Sequence, residues 1–157
     1  MKLRDPVELL YLALMLRWED SAPSLGKEGL LDGVPERNTQ IARMVYILRK
    51  VAAGVDEKTY RTLSLGSRRN DGESYISKNS SWMEEPRELY DGWYFEGCTS
   101  LKQKQEILSG LQRCGLSAAF IACADDFVAG NSVRKYLPSK EEQLEILDRL
   151  NGESENT

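Results

Sequence analysis

Ten successive residues, Val7 to Leu16, contain one charged side chain, Glu8. They follow Asp5-Pro6, a helix start in which Asp5 can cap and Pro6 suits the first helical position. The spacing predicts a helix from Asp5 to about Trp18. Leu9, Leu10, Leu12, Leu14, Met15 and Leu16 leave it almost no polar face. Such a helix is either central to a core or shared with a partner, and a homodimer through helix 5–18 is the form that sharing would take. The stretch is too short to span a bilayer, which needs about 20 apolar residues. Lys2 and Arg4 before it and Ser21-Ala22 after it resemble a short signal peptide, but the helix start favours a buried helix.

The rest of the chain supplies enough apolar material to build around that helix. Of 157 residues, 41% are hydrophobic. A chain of this length buries roughly 70% of its unfolded surface as one domain. Residues 1–152 read as a single globular domain and 153–157 as a disordered tail. Residues 19–35 read as a loop broken by Pro23, Gly26, Gly29, Gly33 and Pro35. Pro35 opens a second helix ending at Gly54, with Ile41, Met44, Val45, Leu48, Val51 and Ala52 as its core stripe. Thr39, Arg43, Tyr46 and Lys50 form the opposite stripe, a solvated or docking face.

Two readings compete for 56–79. Segments 59–65 and 73–79 flank an Asn-Asp-Gly turn and suggest a β-hairpin, or Asp56–Ser64 is a short helix followed by a loop. Trp93-Tyr94-Phe95, between Gly92 and Gly97, is the best strand candidate. Ser100 with Gln103 starts a helix in capping-box spacing, and Gly115-Leu116 ends it. Ala118 to Ala129 reads as a buried helix, and Ser139 with Glu142 opens a last one through Leu150. The fold class is therefore mainly α, about five helices, with a small β element in the middle, α+β at the margin.

The chain has no histidine. That excludes Ser-His-Asp and Cys-His triads and histidine-ligated metal sites. Cys98, Cys114 and Cys123 lack CxxC spacing and read as reduced, mostly buried thiols in a cytoplasmic protein. No metal site and no cofactor is implied: three thiols make no zinc site without a carboxylate, and no phosphate-binding glycine loop is present. Ser132-Val133-Arg134-Lys135 matches Ser-x-x-Lys, but the companion elements of that acyl-transfer class are missing. Asp125 and Asp126 diverge by about 100° on a helix and cannot share one ligand. Glu84, Glu85, Glu88 and Asp125 could supply a glycosidase-like carboxylate pair only at a suitable separation.

Charge is distributed in blocks. Residues 36–70 carry eight basic and three acidic side chains, net +5, whereas 71–99 carry two basic and seven acidic, net −5. The two blocks either pair internally or present separate patches to partners. The acidic block holds the partner-binding candidates Trp82, Glu84, Glu85, Glu88 and Tyr90, with Trp82 expected on the surface among polar neighbours. The basic block holds the nucleic-acid candidates Arg43, Tyr46, Lys50, Arg68 and Arg69. With a net charge of −4 and no activated nucleophile or base, the leading expectation is a small soluble factor without enzymatic activity. It would bind another protein, as an inhibitor, adaptor or immunity-type regulator, away from any membrane. A nucleic-acid-binding regulator using 36–70 stands second and a carboxylate-based hydrolase third.

Overall fold

In a computed structural model of the chain, the described residues are 6–21, 39–52, 57–66, 68–69, 71–90, 92–137, 139–141, 144 and 148. Pro6–Ser21 forms helix α1. Leu12, Met15 and Trp18 recur every three residues and are buried, with Tyr11 beside them. Helix α1 is nevertheless not enclosed all round, because Leu10 is 51% exposed. Composition alone could not show this: an apolar helix against one layer of structure leaves one side to solvent. Asp5, its expected cap, lies outside the described residues.

Thr39 is extended and accepts the Ala42 N–H at 3.1 Å, so helix α2 begins at Gln40 and not at Pro35. It runs Gln40–Tyr46 and continues as a π-helical turn, Ile47–Ala52. Gly54 lies outside the described residues. Helix α3 spans Glu57–Gly66. Of the two readings of this segment, the short helix holds and the hairpin of 59–65 does not. Tyr60 and Leu63 are buried three residues apart, a helical period, and the Tyr60 hydroxyl donates to the Leu48 carbonyl at 2.8 Å.

The β element is a three-stranded antiparallel sheet of order β1-β3-β2, with β1 at Ile76–Ser77, β2 at Pro86–Tyr90 and β3 at Trp93–Glu96. Segment 73–79 thus pairs with β3, Ile76 opposite Phe95, rather than with 59–65. A tight turn precedes it: the Arg69 and Gly72 N–H groups bond to the Glu73 and Arg69 carbonyls, and Arg68 bridges to Ser74. Gly72 sits at φ 89°, a backbone state that favours glycine.

Helix α4, Leu101–Ser109, carries the expected capping box. A 3-10 turn, Gly110–Cys114, closes at Gly115 with the Leu116 N–H on the Leu111 carbonyl at 3.2 Å, the expected Schellman ending. Helix α5, Ala118–Ala129, is capped by Ser117 and buries Phe120, Cys123, Ala124, Phe127 and Val128. A last 3-10 turn follows at Arg134–Tyr136. Lys140, Glu141, Leu144 and Asp148 are helical, as expected after Ser139. Residues 153–157 lie outside the described ones. Trp18, Tyr46 and Phe127 meet in an aromatic cluster, 4.9 to 6.0 Å between ring centres, which joins α1, α2 and α5. The architecture is mainly helical with a small antiparallel sheet.

Candidate functional site

The acidic block is organised by a carboxylate that does not face solvent. Glu96 at the end of β3 is 2% exposed. It accepts the backbone N–H groups of Glu84 at 2.8 Å, Glu85 at 2.9 Å and Cys98 at 3.1 Å. Burial raises its pKa, but these three donors and Arg69 outweigh that and hold the carboxyl below its usual value. The Gly97 N–H returns to the Glu85 carbonyl at 2.9 Å. The peptide units carrying Glu84 and Glu85 are thereby fixed while both side chains stand in solvent.

Pro86, Arg87 and Glu88 on β2 are also exposed. A break in the β2–β3 register between Glu88 and Tyr90 turns Leu89 inward and leaves Tyr90 55% exposed. The Glu88 carbonyl accepts Nε and Nη2 of Arg49 at 2.9 and 2.5 Å. Here the basic block meets the acidic block through a main-chain oxygen, and the Glu88 carboxylate stays exposed.

Trp82 departs from expectation. It is half-buried against the core, its indole Nε1 is enclosed without a hydrogen-bond partner among the described residues, and Arg69 lies 4.6 Å above its ring. Its polar sequence neighbours are turn residues: Asn79 and Ser80 accept the Ser81 and Met83 N–H groups. Cys98 is exposed, against the expectation of mostly buried thiols. Its thiol donates to Glu84, which raises its pKa and makes it a poor nucleophile.

The basic block does not form one surface. Tyr46 is 1% exposed and its hydroxyl donates to the Leu14 carbonyl at 3.0 Å, so it cannot stack on a base. Tyr46 turns inward because Trp18 of α1 and Phe127 of α5 pack against it, whereas Thr39 of the same stripe is exposed. Arg43 is half-buried, with Nε on the Val128 carbonyl at 3.1 Å, and burial lowers its pKa. The Lys50 side chain lies outside the described residues. Arg68 is exposed on the turn after α3. Arg69 bridges Asp71 at 3.5 Å and covers Trp82.

The remaining carboxylates lie elsewhere. Asp126 accepts the Tyr136 hydroxyl, Lys135 Nζ at 3.0 Å and Asn131 Nδ2 at 3.2 Å, and these bonds, Tyr136 first, hold its pKa low. Asp125 is half-buried with Oδ1 unpartnered among the described residues; burial and then Asp126 raise it to about 6. No hydrogen bond or ion pair among the described residues joins Asp125 to Glu84, Glu85 or Glu88. Ser132 accepts the Arg134 N–H, so the Ser-x-x-Lys serine is a turn residue and its lysine is committed to Asp126.

No protein-family model, curated protein or solved structure matches the chain. Among the described residues no cluster of histidine, cysteine or acidic side chains could hold a metal ion, and no helix is long and apolar enough to cross a membrane. The sequence reading missed Glu96, because one glutamate at a strand end carries no signal of burial.

Proposed function

We propose that this chain is a protein-binding factor, of the inhibitor, adaptor or immunity type, acting in a reducing cytoplasm. Its docking face is formed by Glu84, Glu85, Glu88 and Tyr90, and its partner presents a basic surface. One observation carries this reading: a buried glutamate and its three N–H bonds set the backbone on which Glu84 and Glu85 stand. Arg87 lies 3.8 Å from Glu85 and offsets part of the negative charge of this face, to which the exposed Glu84 and Glu88 add. A basic partner surface would meet that charge and be steered by it. Tyr90 adds an exposed aromatic ring of the kind that anchors interfaces.

The test is capture of a partner from host lysate by the tagged chain, with and without nuclease. A stoichiometric, nuclease-resistant partner with a basic contact surface is expected. It should be lost on E84K/E85K/E88K and on Tyr90→Ala, and kept on Arg68→Ala. Equal capture by wild type and the charge-reversed variant overturns the reading. Nucleic acid as the sole nuclease-sensitive eluate overturns it in favour of a nucleic-acid regulator working through Arg68 and Arg69. Self-association through α1 rests on exposed Leu10. It predicts a dimer mass in light scattering that Leu10→Lys reduces to a monomer.

A further inference from the structure

The outer strands of the sheet are β1 and β2. Main-chain groups on such an edge are open to pairing with another strand. The ladder decides which groups face outward. The Gly97 N–H bonds to the Glu85 carbonyl and Arg87 stands opposite Phe95, so Glu85 and Arg87 turn their main-chain groups toward β3. Pro86 and Glu88, the alternate residues, turn theirs to the outside. On the other edge the Glu96 N–H bonds to the Tyr75 carbonyl, so Ile76 faces outward in the same way.

Each edge carries its own closure. Strand β1 is two residues long, and its outward Ile76 N–H donates to Ser74 Oγ at 3.3 Å. Strand β2 is longer and is exposed at Pro86, Arg87, Glu88 and Tyr90. Pro86 has no N–H to offer a neighbouring strand. The outward Glu88 carbonyl is taken by Nε and Nη2 of Arg49, a side chain 39 residues earlier in the chain. That leaves the Glu88 N–H as the outward donor of β2.

Register decides what a second copy of the chain could do here. In a two-fold antiparallel pairing of β2 with β2, outward residues must stand opposite outward residues. Pro86 opposite Pro86 supplies no N–H at that pair. Pro86 opposite Glu88 places Arg87 opposite Arg87, a like-charge pair. Glu88 opposite Glu88 lets each N–H reach the other carbonyl, but both carbonyls are held by Arg49 and the two exposed carboxylates face each other. We propose that Arg49 is a plug on this edge and that, together with Glu88, it keeps β2 from pairing with β2 of a second copy.

The experiment joins two measurements. Amide hydrogen exchange on the unsubstituted chain should show fast exchange of the Glu88 N–H and slow exchange of the Arg87 N–H, which bonds to β3. Light scattering over a concentration series then compares Arg49→Ala, Glu88→Thr and the double variant, all in a Leu10→Lys chain so that contact through α1 does not contribute. The double variant should self-associate at least about tenfold more tightly than either single one, because both obstacles to the paired register are gone. Arg49→Ala with Glu88→Pro should stay monomeric, since proline removes the N–H that the pairing needs. A folded double variant no more associated than its Leu10→Lys parent overturns the proposal, as does association that survives Glu88→Pro. A Glu88 N–H as protected as that of Arg87 also overturns it. The exchange measurement needs no substitution, so it tests the edge even where the double variant fails to fold.

Discussion

The Glu8 carboxylate in the first turn of α1 accepts the Ser117 backbone N–H at 2.6 Å and the Ser117 hydroxyl at 2.8 Å, across 109 residues of sequence. Ser117 is also the N-cap of α5, accepting the Phe120 N–H at 3.1 Å. One buried carboxylate thus ties the start of α1 to the start of α5, where the helix dipole also favours a negative charge. Glu8→Ala should cost about 2–3 kcal/mol, since a buried N–H and a hydroxyl lose a charged acceptor. Glu8→Gln should cost about half as much. Urea denaturation of the two variants measures this, and a wild-type midpoint for Glu8→Ala would contradict it.

Glu96 gives a prediction in pH. Its folded pKa lies below the usual 4.5. Its contribution is therefore fully present above the unfolded value and is lost as pH falls below about 4.5 toward the folded value. Glu96→Gln keeps the volume but turns an amide NH₂ toward one of the three N–H donors. It should destabilise the fold by about 2 kcal/mol at neutral pH and remove part of the stability loss below pH 4.5. Thermal melts from pH 3 to 7 on both proteins read both effects.

What the sequence disclosed and what it withheld follow one physical line. Features fixed within a few residues were legible: Ser100 with Gln103, Gly115 with Leu116, and the burial of Trp93 and Phe95. Those decided by distant neighbours were not. Tyr46 reads as polar-face until Trp18 and Phe127 close over it. Residues 59–65 carry strand-prone threonine and tyrosine, yet packing of Tyr60 and Leu63 against the core makes them helical. Of the acidic face, Glu84, Glu85, Glu88 and Tyr90 were legible as surface residues. Trp82 and the supporting role of Glu96 were not, because both depend on the path of the chain from Arg69 to Cys98.

Asp125 runs the opposite way in pH. Burial and the neighbouring Asp126 raise it to about 6, so the folded state holds its proton more tightly than the unfolded chain does. Its contribution is present below about pH 4 and is lost as pH rises through about 6. Asp125→Asn should therefore stabilise the protein at pH 7, by about 1 kcal/mol after allowance for its partial exposure. It should leave stability at pH 4 nearly unchanged. Chemical denaturation at the two pH values decides it: equal effects at both would show that the carboxyl titrates normally.

Trp82 and Tyr90 divide the aromatic content of the acidic block into packing and docking. Trp82 rests on the core with Arg69 across its ring, so Trp82→Ala removes buried area and a cation–π contact and should cost about 2–3 kcal/mol. Tyr90 is 55% exposed at the end of β2, so Tyr90→Ala should change stability by no more than about 0.5 kcal/mol. Partner capture should move the other way, falling sharply on Tyr90→Ala while the Tm stays put. Paired melts and capture assays on the two variants separate the roles. A Tyr90→Ala protein as unstable as Trp82→Ala would mean that the ring serves the sheet, and the docking face would then reduce to its three carboxylates.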